Sequence, residues 1–143
     1  MKIIVVQRRP SDRAGIRERI AQRDPKRAEE IFFTHRPEDV LHHMRAFPSE
    51  LIVIVSGNVF DSNFFAFGSK CADAVKELNP KAAFYLYSTM PEKTRAMDGI
   101  IPRLFGLAEK GEHALLAEIL TQKEEDLVPD RLKKLFPMIE WQL

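Results

Sequence analysis

The stretch LIVIV, residues 51–55, decides the fold that this sequence predicts. Five β-favouring residues follow one another without a break, and Ser56-Gly57-Asn58 then ends the run. A strand with one face in water alternates polar and apolar residues, whereas a continuous apolar run is typical of a strand that helices cover on both faces. We therefore predict a central strand of a parallel sheet at this point.

Four further short strands are predicted on either side of this central strand, at residues 3–6, 30–34, 84–87 and 99–101. Helical periodicity or helix-starting residues separate them, and the predicted helices begin near Ser11, Pro37, Cys71, Pro91 and Gly111. Asp24-Pro25 is expected to end the first helix and lead into the second strand. Because parallel neighbours need crossover helices, this alternation predicts a three-layer α/β fold around a parallel five-stranded sheet.

The length of 143 residues and the 45% apolar content suit one compact domain. We expect residues 1–121 to form this domain and residues 122–143 to form a C-terminal extension. Val128-Pro129-Asp130 is predicted to start a short helix in the extension. The apolar residues of the extension predict that it packs on the domain or makes an oligomer contact. These residues are Leu132, Leu135, Phe136, Ile139 and Trp141.

Cysteine content and charge restrict the class of protein. The single Cys71 cannot form an internal disulfide or a cysteine zinc site, which favours a reducing cytoplasm. No stretch approaches the roughly 18 apolar residues of a membrane span. Residues 1–27 hold nine Lys/Arg against three Asp/Glu, and residues 109–143 hold five against eight. A net charge of +1 argues against dedicated nucleic-acid binding, although the asymmetry can guide a protein partner or a self-contact.

Common catalytic and cofactor motifs do not occur in the sequence. It has no GxxxxGK[ST], GxGxxG or GxSxG pattern, so no nucleotide or hydrolase fingerprint is present. His42 and His43 are adjacent, whereas a helical metal pair needs i, i+4 spacing. We predict no cofactor and no metal site. A lone Ser56 after a buried strand is weak evidence for a nucleophile, because no motif places a His and Asp beside it.

Two stretches of the chain resemble the receiver domains of response regulators in two-component signalling. THRPEDVL, residues 34–41, is similar to the end of receiver strand two and the start of helix two, and ELIVIVS, residues 50–56, is similar to the strand that ends in the phospho-accepting aspartate. The resemblance covers about residues 2–121. It implies a flavodoxin-like (βα)5 sandwich in strand order 2-1-3-4-5, with its site at the carboxyl edge of the sheet.

The residues at the predicted edge depart from the receiver pattern. Receivers place two acids after strand one to hold magnesium, where this chain has Gln7 and Arg8. Ser56 stands in place of the acceptor aspartate, and a serine hydroxyl is a far poorer nucleophile that brings no charge for a metal. Ser88 matches the switch hydroxyl of the family, and Arg103 best matches its lysine. The resemblance therefore implies a degenerate pseudo-receiver that is not an enzyme and is not phosphorylated by the usual route.

Two functions are expected from these residues. The first is a regulatory or protein–protein interaction module with a protein partner or a homodimer, whose partner surface would include Phe64, Phe65, Tyr87 and Phe105. The alternative is a small α/β enzyme or binding protein for an anionic molecule at the carboxyl edge, since guanidinium groups match phosphate and carboxylate geometry. Its expected contacts are Arg8, Arg9, Arg13 and Asn58. Packing of the phenylalanines in the core and solvation of the arginines are the simpler interpretations of the same residues.

Overall fold

The computed structural model describes residues 1–57, 59–60, 66–67, 72–88, 98–102, 109–139 and 141. Within these residues, strands and helices follow one another in the alternating manner that the sequence predicts. In chain order the strands and α-helices are β1 Lys2–Val6, α1 Pro10–Arg23, α2 Pro25–Glu30, β2 Ile31–Thr34, α3 Pro37–Ala46, β3 Ile52–Ser56, β4 Val59–Phe60, β5 Ala66–Phe67, α4 Ala72–Leu78, β6 Ala83–Ser88, β7 Gly99–Pro102, α5 Glu109–Leu120 and α6 Pro129–Leu135, with a 3₁₀ turn at Glu124–Asp126.

Five strands form one sheet in the order β2-β1-β3-β6-β7, and all four pairings are parallel. Counted along this sheet alone, the order is 2-1-3-4-5, which confirms the predicted α/β fold and its flavodoxin-like topology. The central strand β3 is buried at each of its five residues, as its continuous apolar run predicts.

Alternate residues of the strands point to two separate cores. On β6, Tyr85 and Tyr87 face the layer that contains α1, α2 and α5, whereas Phe84 and Leu86 face the layer that contains α3 and α4. We call these the first face and the second face of the sheet. Side-chain alternation along a strand produces this division, because helices cover both sides.

The C-terminal extension packs on the first face. Leu127, Leu132, Phe136 and Ile139 are buried in the same core as α1 and α5. The helix predicted at Val128-Pro129-Asp130 is α6, with Pro129 in its first turn. A role of the extension in an oligomer contact stays a prediction.

Trp141 closes the extension against the sheet. Its ring meets the ring of Tyr85 edge to face at 5.7 Å, and its indole N–H donates to the Phe136 carbonyl at 2.8 Å. A Cβ added to Gly99 would lie 2.6 Å from Trp141 Cζ3 and 2.9 Å from Tyr85 Cδ1. Trp141 can therefore sit on β7 only because residue 99 has no side chain.

Two local elements differ from the prediction. Asp24-Pro25 does end α1, but it also starts α2, because the Asp24 carboxylate accepts from the Arg27 N–H at 3.0 Å and Pro25 occupies the first helical turn. The segment between β3 and α4, where no strand is predicted, contains the antiparallel pair β4–β5. The short helix predicted at residues 91–97 lies outside the described residues.

Basic residues of the first third bind the end of α5. Arg27 Nη1 donates to the Leu120 and Gln122 carbonyls at 2.8 and 2.9 Å, and Arg23 Nε donates to Thr121 Oγ1 at 3.0 Å. These carbonyls have no partner within the helix, and a positive charge is favoured at a helix C-terminus. Two basic residues of the N-terminal region thus hold α1 and α2 against the end of α5.

Candidate functional site

Strands β1 and β3 bring residues 7 and 56 together at the carboxyl edge of the sheet. Val6 pairs with Ser56 in the parallel register, so Gln7 and Gly57 leave the sheet side by side. The Gly57 N–H donates to the Val6 carbonyl at 2.9 Å, and the Gln7 N–H donates to the Thr34 carbonyl at 3.0 Å. The parallel register therefore brings Gln7 and Gly57 together at the carboxyl edge of the sheet.

The Gln7 side chain lies across the end of β3. It is only 5% exposed, and its Nε2 donates to the Tyr87 carbonyl on β6 at 3.2 Å. A Cβ added to Gly57 would come within 3.2 Å of Gln7 Oε1 and 3.3 Å of Gln7 Nε2. Gln7 thus connects β1 to β6 over the top of Gly57, an arrangement that we call the Gln7 bridge.

Ser56 is buried and internally bonded. It has no exposed surface, and its hydroxyl donates to the Gly57 carbonyl at 2.7 Å. A serine nucleophile needs access to substrate and an adjacent base that takes its proton. A hydroxyl that donates to a backbone carbonyl and has no exposed surface meets neither requirement.

The predicted anion contacts separate into bound and exposed groups. Arg13 Nη1 donates to the Gln7 carbonyl at 2.8 Å and to the Arg8 carbonyl at 3.1 Å, so this guanidinium holds the turn after β1. The side chains of Arg8 and Arg9 are exposed and make no ion pair with a described residue. Asn58 and Arg103 lie outside the described residues. Ser88 ends β6 opposite Pro102, and its hydroxyl also lies outside them.

The structure corrects the prediction that Tyr87 belongs to a partner surface. Its side chain is completely buried, and its hydroxyl lies 3.0 Å from His113 Nδ1 on α5. Tyr87 alternates with Leu86 and so faces the first core, where α5 covers it. Gly15 on α1 leaves room for the imidazole, since a Cβ there would lie 3.2 Å from His113 Cδ2. Phe64, Phe65 and Phe105, the other expected surface residues, lie outside the described residues.

The described residues contain no candidate metal site and no membrane span. No group of three His, Cys, Asp or Glu side chains in this part of the chain could hold a metal ion. None of the helices in the same residues is both long and apolar enough to cross a bilayer. Cys71 lies outside the described residues.

The outer side of β2 is a surface feature that the sequence prediction did not single out. Phe32 is 42% exposed there, and the Arg17 guanidinium lies 4.6 Å from the centre of the Phe33 ring. Beside it, α1, α2 and β2 line a groove of about 430 Å³, whose residues are Arg17, Ala21, Pro25, Ala28, Glu29 and Ile31. The sequence does contain a signal, because the strand predicted at residues 30–34 is an outer strand in the order 2-1-3-4-5, and residues 31–34 have no charge or proline.

Comparison with known proteins identifies no relative of this chain. No family model matches the chain, and neither a curated protein nor a solved structure matches it. The fold is shared with many proteins of unrelated activity, so it does not define a function. Function is therefore inferred from the residues at the carboxyl edge and at the β2 edge.

Proposed function

We propose that this chain is a non-catalytic, receiver-like module that acts in signalling through protein contacts and not through aspartyl phosphorylation. The observation that carries the proposal is the Gln7 bridge. By the resemblance, Gln7 stands after β1 where receivers have magnesium-binding acids, and its amide donates to the Tyr87 carbonyl at 3.2 Å. A group that closes the edge in this way contributes to packing and does not bind a cation.

Phosphoryl acceptance has three physical requirements that these residues do not meet. A nucleophilic carboxylate must be accessible, carboxylate oxygens must hold a hard divalent cation, and space must exist for the phosphoryl group. Ser56 has no exposed surface, Gln7 has no charge, and the Gln7 side chain covers Gly57. Each of these facts supports a role that does not require the chemistry of the family.

Binding of a small anion at the same edge has weaker support. Of the predicted contacts, Arg13 is already bonded to two backbone carbonyls. Arg8 and Arg9 remain available, but both are exposed, and exposed charges attract anions only weakly in salt. We therefore place protein contacts first.

The proposal is tested by NMR with ¹⁵N-labelled protein in magnesium buffer, to which beryllofluoride or acetyl phosphate is added. We expect the amide spectrum to stay unchanged, because the edge offers no acceptor. A phosphorylatable receiver treated in parallel is the positive control. Specific shifts at Ser56 and Gly57, or a covalent phosphate in the mass spectrum, would overturn the proposal, whereas shifts at Arg8 and Arg9 with inorganic phosphate alone would favour the anion-binding alternative.

A further inference from the structure

We propose that the β2 edge is the contact surface for a second copy of this chain, which pairs its own β2 antiparallel to the first across a two-fold axis. This names the partner for the proposed interaction role, and it rests on that role. A second copy is inferred as the partner because the positive and negative side chains beside this edge can pair with the same side chains of an identical chain.

Strand β2 is at the outer edge of the sheet, and no strand in the described part of the chain pairs with its outward side. It pairs with β1 only, so the outward N–H and C=O groups of residues 31–34 have no strand beside them. Proteins usually protect such edges with charged residues, proline or a bulge. The sequence IFFT provides none of these within the strand. An edge of this kind is suited to pairing with another strand.

Arg17 and Glu29 flank the groove beside this edge and have no ion-pair partner among the described residues. Both side chains are exposed. Arg17 lies over Phe33, toward the carboxyl end of β2, whereas Glu29 comes two residues before Ile31, at the amino end. Ala21, Ala28 and Ile31 add apolar side chains to the lining of the same groove. The groove therefore has a positive end, a negative end and an apolar floor.

A two-fold axis perpendicular to the sheet places the groove of one copy beside the groove of the other in the opposite direction. Such an axis reverses the strand direction but keeps α1 and α2 of both copies on the same face, as antiparallel pairing requires. The positive end of one groove then meets the negative end of the other. Arg17 of each copy approaches Glu29 of its partner, so two ion pairs of the same kind form beside the joined strands.

The exposed aromatic ring of β2 adds apolar area on the other face. Phe32 is 42% exposed, and its ring lies 4.9 Å from that of His43 on α3. Pairing of the two β2 strands brings the Phe32 rings of both copies close to the axis. Aromatic residues are enriched in the cores of protein interfaces, where their burial supplies much of the affinity.

A charge-exchange experiment tests the pairing in the full chain. Sedimentation equilibrium should show a reversible dimer, and Arg17→Glu or Glu29→Arg alone should weaken it at least tenfold, because like charges then face each other. The double variant Arg17→Glu/Glu29→Arg should restore dimerisation to near the wild-type level. Lys134→Glu on α6, which changes an exposed charge far from β2 in sequence, should leave the dimer unchanged.

Phe32→Lys is the second test, because it places charge on the edge strand at a residue that is already exposed. Circular dichroism should show a wild-type fold, and sedimentation should show a monomer. A wild-type chain that is monomeric at millimolar concentration, or single charge variants that dimerise as the wild type does, would overturn the inference. In that case an unchanged NMR spectrum with beryllofluoride would still support the proposed function, so the two failures are distinguishable.

Discussion

Tyr87 and Tyr85 lie two residues apart on β6 and face the same side of the sheet, but hydrogen-bonding groups surround Tyr87, whereas an aromatic ring packs against Tyr85. At Tyr87 the polar groups are satisfied, because Gln7 donates to its carbonyl and His113 bonds to its hydroxyl. At Tyr85 the buried hydroxyl has no hydrogen-bond partner among the described residues, and the Trp141 ring packs against the tyrosine ring.

This difference shows which forces hold each region. The carboxyl end of the sheet is held by directional polar bonds, which are costly to leave incomplete once they are buried. The region under the extension is stabilised by close packing, since Trp141 fits over Gly99. The unpaired hydroxyl of Tyr85 is tolerated there. Substitutions that change shape and substitutions that change polarity should therefore affect the two regions differently.

The largest effect is expected from Gly99→Ala, which tests the role of shape under the extension. The new methyl group would overlap the Trp141 ring and press on Tyr85, so the tryptophan must move away from β7. We expect a loss of about 3 kcal/mol in the free energy of unfolding, measured by urea denaturation. In a Trp141→Ala background the same change should cost much less, and equal costs in both backgrounds would contradict the proposed clash.

The next effect concerns polarity at the carboxyl end. Gln7→Glu removes the donor to the Tyr87 carbonyl and buries a carboxylate in its place, which should cost about 2 kcal/mol at neutral pH. Gln7→Met, the matched control, removes the bond without adding charge and should cost less.

The difference in stability between Gln7→Glu and Gln7→Met should depend on pH. Burial raises the folded-state pKa of the new carboxyl above its unfolded value of about 4.3. The protonated form is therefore favoured in the folded state, and stability is lost as the pH rises above that unfolded value. The difference between Gln7→Glu and Gln7→Met should narrow as the pH falls toward about 4. A difference that does not depend on pH would show that residue 7 is not in a desolvated site.

The smallest effects are expected from the two tyrosine hydroxyls, and they should have opposite signs. Tyr87→Phe removes the bond to His113 and should lower stability by about 1 kcal/mol, whereas Tyr85→Phe removes an unpaired buried hydroxyl and should raise it by a similar amount. Thermal and urea unfolding of the two variants provide matched measurements on one strand. Equal losses in both variants would mean that the Tyr85 hydroxyl is paired in solution.

The buried phenol of Tyr85 should also make the stability of the protein depend on alkaline pH. Burial, with a smaller contribution from the charges of Asp98 and Asp130, raises the pKa of the Tyr85 phenol far above its ordinary value. In the unfolded chain the phenol ionises at about pH 10, so the stability linked to Tyr85 is lost as the pH rises above that value. The wild type should therefore lose more stability than Tyr85→Phe when the pH is raised through this range.

The sheet could be predicted from the sequence because parallel strands covered on both faces leave a direct signal. Each of the runs at residues 3–6 and 51–55 is apolar throughout, and helical periodicity separates the strands. Asp24-Pro25 is harder to interpret, since the same two residues that end one helix also cap the next. Local signals mark a boundary there but do not identify the next element.

The candidate site is less predictable because its contacts join distant residues. The resemblance to receivers places Gln7 and Ser56 at one edge, but the bond from Gln7 to Tyr87 spans 80 positions and depends on how one side chain turns. The resemblance to receivers predicts that Tyr87 lies on a partner surface, although its alternation with Leu86 puts it in a core. The pairing of Trp141 with Gly99 has no signal in the sequence, because only the packed structure brings them together.

The position of the extension has a consequence for how the protein forms during translation. The second face can be completed by residues up to β7, but the first face needs Leu127, Leu132, Phe136 and Ile139 from the extension. A nascent chain that has left the ribosome only as far as α5 would present an incomplete apolar surface. The first face therefore stays accessible to chaperones and to other unfinished chains until residues 127–139 have also left the ribosome.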